Sequence, residues 1–299
     1  MKLQTLLLLL LITACSATSV PTKPAQLGQP GSLAELIASL EQPGIIDFEK
    51  HVSGDWEVSL SGLVNLDHPK AIAAGLKDKP EAIKIFTYSL KHPDFGNYLV
   101  DSGLAESFIN AADNSDVAWL VKTVMGSDKL LVHRTTKELS EQLGGIDGVF
   151  LTHIHMDHIM GLNDLEDVPV YIGPGDAAAS DPTHPLTRGT TDRLLGNVSE
   201  LLEWQYSESA YIDVFGDSSL WAIHSPGHTP GATAYLANTT DGPQLMLGDA
   251  THTKWGWENG VEPGTFSADI PLSAMSLSKL KALSLDHPGI AVHPGHQAL

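Results

Sequence analysis

Apolar residues along this chain fall mostly into short alternating runs separated by turn-forming residues. Trp56–Leu66 (WEVSLSGLVNL) alternates and is rich in β-branched side chains, which predicts a strand bent near Gly62. Ile83–Leu90 and Tyr98–Val100 predict two more, separated by a turn at His92-Pro93-Asp94-Phe95-Gly96. Gly148–Thr152, Val168–Ile172, Leu220–His224, Thr233–Ala237, Gln244–Leu247 and Gly289–Val292 complete the strand set. Helical signals are fewer. Ser32-Leu33-Ala34-Glu35 reads as a capping box opening a helix through Leu40. Thr135 or Thr136 caps a helix through Leu143, and Gly144-Gly145 stops it. Ser273–Leu285 is amphipathic, with Met275, Leu277, Leu280 and Leu283 along one side. Gly173–Val198 carries little pattern and predicts a long loop or insertion. Strands come in two clusters, each followed by helical segments, so the expected fold is α/β: two sheets sandwiched between helices in an αβ/βα four-layer domain.

The first residues follow another logic. Met1-Lys2 precedes Leu3–Ala14, an apolar run too short to span a bilayer comfortably, which describes a secretory signal over residues 1–14. The run ends in Ile12-Thr13-Ala14-Cys15, which resembles the lipobox of bacterial lipoproteins, whose cysteine is lipidated and becomes the mature N-terminus. Cys15 is the only cysteine, so no disulfide framework and no thiolate metal ligand is available elsewhere. Ser16 behind it resembles outer-membrane sorting. The expectation is an exported lipoprotein on the outer membrane, facing the periplasm and touching the membrane only through Cys15. Ser16–Ser32 is rich in Ser, Thr, Pro and Gly and reads as a flexible tether of roughly 20–25 Å. Residues 33–299 would then form one catalytic domain. A formal charge of −19, from 36 acidic and 17 basic residues, repels nucleic acid and anionic lipid head groups, so nucleic acid is not an expected partner. Oligomeric state is not readable.

The chemistry concentrates in Thr152-His153-Ile154-His155-Met156-Asp157-His158, directly after a predicted strand. Residues i and i+2 of an extended segment point the same way, so His153 and His155 can reach one metal ion together. Asp157 and His158 sit further on and can reach a second. Imidazole and carboxylate suit zinc and other borderline divalent ions.

His-x-His-x-Asp-His behind an apolar strand resembles the signature of the metallo-β-lactamase superfamily. Other motifs resembling that family follow its order: Asn97–Gly103 (NYLVDSG), Ser225–Gly231 (SPGHTPG), Leu247–Ala250 (LGDA) and Pro294-Gly295-His296. The resemblance runs from about Trp56 to the C-terminus. It implies two mixed sheets flanked by helices and two divalent ions, with zinc the first expectation and manganese, iron or cobalt the alternatives. It also implies that His153, His155 and His228 hold the first ion, that Asp157, His158 and His296 hold the second, and that Asp249 bridges them. Asp157 would shuttle a proton to the leaving group, and Asp101 would orient a ligand histidine. His293 competes with His296 for the last position. His224 reads as a strand-end histidine bonded to backbone. His51, His68, His92, His133, His184 and His287 read as surface residues.

Within the family, β-lactamases usually lack an aspartate where Asp249 stands. Glyoxalase II enzymes carry a helical domain after the second sheet, and only three residues follow His296. Phe86–Pro93 (FTYSLKHP), followed by Val100-Asp101-Ser102-Gly103, resembles the N-terminal sheet of the N-acyl-homoserine lactone lactonase branch, which implies a lactone or ester hydrolase with a small-molecule substrate. Many of those enzymes carry a tyrosine three residues past the bridging aspartate. This chain has His252, which either donates to an oxyanion as a catalytic group or is a polar rim residue. Trp255 and Trp257 either line a pocket or pack against the sheet. The alternatives are a phosphotriester or thioester hydrolase and, from another class, a non-catalytic metal- or ligand-binding lipoprotein.

Overall fold

The computed structural model describes residues 16–110, 114–179 and 184–299. The expected signal segment and Cys15 lie outside the described residues.

The first sheet takes β1 (Thr22–Pro24), β3 (Asp47–Ser59), β4 (Pro80–His92), β5 (Gly96–Val100), β6 (Leu131–Val132), β7 (Gly148–Phe150), β8 (Val170–Ile172) and β9 (Leu201–Glu203), in spatial order β1-β9-β8-β7-β5-β4-β3-β6. The second takes β2 (Gln29–Gly31), β10 (Tyr211–Asp213), β11 (Leu220–His224), β12 (Thr233–Thr239), β13 (Gly242–Met246) and β14 (Ala291–His293), in order β14-β13-β12-β11-β10-β2. Both are mixed. The β5-β7-β8-β9-β1 half of the first sheet is parallel, and so is the β13–β14 pair of the second. The helices are α1 (Leu33–Ser39), α2 (Leu60–Leu63), α3 (Pro69–Ala73), α4 (Trp119–Met125), α5 (Thr136–Leu143), α6 (Met156–Ile159), α7 (His184–Leu195), α8 (Lys254–Asn259) and α9 (Ile270–Asp286).

Side-chain alternation builds the layers. Phe86, Tyr88 and Leu90 of β4 face inward with Tyr98 and Val100 of β5, meeting Leu220, Ala222, Tyr235, Ala237 and Met246 of the second sheet. The intervening Ile85, Leu99 and Val149 face outward and are covered by Val121 of α4, Leu139 of α5 and Leu194 of α7. On the far side Trp221, Ile223, Leu236 and Leu245 meet Leu36 of α1 and Leu280 and Leu283 of α9. Each large side chain so buried contributes roughly 1.5–3 kcal/mol. Tyr235 ties the sheets together. Its hydroxyl donates to the Leu151 carbonyl at 3.1 Å and accepts from Trp204 Nε1 at 2.9 Å, which fixes the chain two residues before His153.

Four expectations change. The strand read over Trp56–Leu66 begins earlier and ends at Ser59, and α2 follows it. Leu60 and Leu63, three apart, both enter the core, and the Val64 N–H closes on the Leu60 carbonyl at 2.9 Å. The Gly173–Val198 loop contains α7. Ser16–Ser32 is not a free tether, because β1 pairs with β9 and β2 with β10. On α9, Leu277, Leu280 and Leu283 are buried but Met275 is exposed.

Candidate metal centre

Loops leaving β7, β11, β13 and β14 converge at one end of the sandwich. After β7 the chain stays extended through Leu151, whose N–H bonds the Tyr171 carbonyl at 2.9 Å. His155 then serves as the N-cap of α6, and Asp157 and His158 fall in that short helix. Two groups of ligand atoms result, each with its members within 4.8 Å of one another. His153, His155, His228 and Asp249 form one, and Asp157, His158, His296 and Asp249 the other. Asp249 belongs to both.

The spacing suits an ion. Donors about 2.0–2.1 Å from a tetrahedral ion stand about 3.3 Å apart. Asp249 Oδ2 lies 3.6 Å from His153 Nε2, 3.5 Å from His158 Nε2 and 3.3 Å from His228 Nε2. Its Oδ1 lies 3.3 Å from His296 Nε2, which is 3.2 Å from Asp157 Oδ2. His155 presents Nδ1, 2.9 Å from His228 Nε2. Among the described residues, His153 Nε2, His158 Nε2 and Asp249 Oδ1 are buried without a hydrogen-bond partner. Buried polar atoms are rarely left so, and a cation in each group would satisfy all three.

In the second group the far sides of His296 and His158 are held by partners behind them. His296 Nδ1 donates to the Lys84 carbonyl at 2.9 Å. A carbonyl only accepts, so the Nδ1 of that ring carries the proton. His158 Nδ1 faces Asp101 Oδ2 at 2.8 Å, and the Thr152 N–H donates to Asp101 Oδ1 at 2.8 Å. Asp101 holds this place with φ of 55°, an uncommon conformation for a residue with a side chain. Gly295 is required beside Asp249, because a Cβ there would strike the carboxylate.

Electrostatics divide the groups. Burial pushes His155 down to about 3 and holds His153 and His228 low, leaving three neutral rings. Burial would also lower His158 and His296, but carboxylates outweigh it. Asp101, Asp249 and Asp157 hold His158 well up, and Asp249 with Asp157 raises His296 to about 10. Without an ion, protons thus occupy the second group, where the anionic field favours positive charge.

The profile of the Metallo-beta-lactamase superfamily matches residues 93–296. The chain belongs to that superfamily. Its relatives include an N-acyl homoserine lactonase from a Bacillus species, 26% identical over 240 residues and covering 79% of this chain and 90% of the relative. The N-acyl homoserine lactonase AttM of Rhizobium johnstonii is 26% identical over 222 residues, covering 70% of this chain and 80% of its own. A solved N-acyl homoserine lactone hydrolase with N-hexanoyl-L-homoserine at its catalytic metal centre shares the fold. Its TM-score is 0.61 at 18% identity, over 85% of this chain and 94% of that one.

Other histidines of this metallo-β-lactamase domain settle elsewhere. His293 bonds Gln244 Oε1 at 2.8 Å, outside both ligand groups. His224 bonds the Pro230 carbonyl at 3.0 Å. His51 and His92 are buried rather than on the surface, because Ser89 and Arg134 satisfy the first and Asp217 the second. His252 is no rim residue. It is buried with Nε2 3.0 Å from Asp249 Oδ2, and its Nδ1 donates to the Leu63 carbonyl at 3.1 Å. With Nδ1 so committed, Nε2 can donate only when the ring is an imidazolium. Trp255 and Trp257 pack into the outer cores on either side of α8. Asp176 carries no signal in the sequence, being an isolated aspartate in a Gly-Pro-rich loop.

Proposed function

We propose that this metal-dependent hydrolase uses a dinuclear centre to open lactone rings or cleave related esters. The observation that carries the reading is Asp249, whose carboxylate reaches both ligand groups at the position where β-lactamases of the fold usually lack an aspartate. Relatives matched over most of the chain are N-acyl homoserine lactonases, which favours a lactone over a phosphotriester. Two divalent ions, zinc by preference, would supply water acidified near neutral pH and polarisation of an acyl carbonyl. The chain's own groups supply the rest. Asp157, whose side chain is the most exposed of the second group, would carry a proton to the leaving alkoxide. His252 presents Nε2 3.0 Å from Asp249 Oδ2, where a hydrogen-bond partner for a developing oxyanion would stand. Phe266, half-exposed with its ring 6.3 Å from that of His252, offers an apolar wall to a substrate.

The test is a panel offered to the protein from Ser16 onward: an acyl-homoserine lactone, a δ-lactone, a thioester, a phosphotriester and a cephalosporin. Preferential lactone opening, abolished by chelation, is expected. Preference for the thioester or phosphotriester would move the function to that runner-up. No turnover on any of them with two ions bound would remove the lactone reading. Near-zero metal content would favour a binding protein.

We also propose that Cys15 carries a lipid and holds the domain at the outer membrane, because the only cysteine stands at the end of the apolar leader. Mass spectrometry of the mature N-terminus is expected to find a diacylglyceryl cysteine at residue 15. An unmodified Cys15, or a cut elsewhere, would refute the anchor.

A further inference from the structure

We infer that Asp176 is the positioning residue of the first metal position, clamping the loop that carries His153 and His155 to the loop that carries His228. Asp176 lies on the loop leaving β8, is fully buried, and divides its two oxygens between those loops. Oδ2 accepts from the N–H of Ile154 at 3.1 Å, the residue between the two histidines. Oδ1 accepts from the N–H of Gly231 at 2.7 Å, three residues past His228. The backbones press together at the same place. A Cβ on Gly173 would collide with the Gly231 carbonyl, and a Cβ on Gly231 with that of Gly173.

A carboxylate suits this task because both of its oxygens accept. The amide of asparagine would turn its NH2 toward one of the two N–H groups. The charge is held against the environment, since desolvation pushes the carboxyl up to about 6 despite the hydrogen bonds it receives. The second position has supports of its own, the Lys84 carbonyl behind His296 and Asp101 behind His158, while Asp101 also holds the Thr152 N–H beside His153. Asp176 therefore acts most directly on the three histidines of the first position.

The inference rests on His153, His155 and His228 sharing an ion. Cobalt titration of wild type and Asp176→Asn, read by visible absorption and chelator competition, measures the two positions separately. First-position affinity is expected to fall about 10–100-fold, the usual cost of losing a group that orients metal ligands, with the second position unchanged. Equal loss at both positions, or loss at neither, would overturn the clamp. Hydrogen exchange on the metal-free wild type covers the case in which the variant does not fold. The Ile154 and Gly231 amides are expected to be protected before any metal is added. Fast exchange of both would mean that the ion, not Asp176, orders the loops. If wild type bound no cobalt, the metal reading would fail by itself, and the exchange result would still decide the clamp.

Discussion

Asp249→Asn is expected to reduce the bound metal from two ions per chain to one or fewer, and to lower kcat/KM at least about a thousandfold, or roughly 4 kcal/mol of barrier. Two divalent ions in such sites stand roughly 3.5–4 Å apart. At an effective dielectric of about 20 their mutual repulsion is of order 17–19 kcal/mol. Negative charge between the ions must offset that, and Asp249 is the one carboxylate common to both ligand groups. It is also the only anionic donor of the first group. Asparagine keeps the shape, removes the charge, and turns an NH2 toward ring nitrogens that should offer lone pairs. Elemental analysis and steady-state lactone hydrolysis check the prediction. A variant with two ions and turnover within tenfold of wild type would remove Asp249 from the junction.

His296→Ala is expected to cost the second ion and at least about a hundredfold in kcat/KM, whereas His293→Gln leaves metal content unchanged. The two rings lie three residues apart in different surroundings. His296 faces Asp157 and Asp249. His293 packs against Phe48 and Tyr88 with ring centroids at 5.4 and 5.6 Å. Burial, then the charge of Lys50, pushes His293 down to about 4. A free histidine titrates near 6.5, so between those values the unfolded chain binds a proton that the native ring refuses. The associated stability is therefore complete above about pH 6.5 and is lost as pH falls toward 4, by up to about 3 kcal/mol. Denaturant midpoints measured from pH 7 to pH 4.5 should fall less steeply for His293→Gln than for wild type. A loss of metal from His293→Gln and not from His296→Ala would exchange the two assignments.

What could be read from the sequence was whatever side-chain chemistry encodes locally. Ser32 caps α1, although Glu35 returns to the Ser32 hydroxyl and not to its N–H, and Thr135 rather than Thr136 caps α5, where Glu138 completes a reciprocal pair of bonds. β11 runs over the residues where alternation placed it. The ligand motifs stood out because several donors of one kind within a few residues are hard to explain otherwise. What escaped was encoded in backbone or in distant partners. α7 shows little apolar period because its buried face includes Thr190 and Thr191 beside Leu194 and Leu195. β1 and β2 lack apolar side chains to announce them, and what holds them is hydrogen bonding along a sheet edge. The groups behind His296 and His252 are main-chain carbonyls of Lys84 and Leu63, which no composition or spacing marks.

The pairing of β1 and β2 sets a limit on how this protein can be trimmed. Each strand covers the open margin of one sheet, and Gly31 of β2 lies directly on the Trp221 ring. A protease cutting after Pro24, or a shortened gene product starting at Leu33, would bare β9, whose unpaired N–H and C=O groups would invite a neighbouring chain to add a strand. Starting at Leu33 would bare β10 as well. Thr18 is already secured, its hydroxyl donating to Asp192 at 2.5 Å. Only Ser16 and Ala17 separate that bond from Cys15. A lipid on Cys15 would therefore hold the domain with almost no slack, so that the face around α7 rides on the bilayer instead of swinging above it.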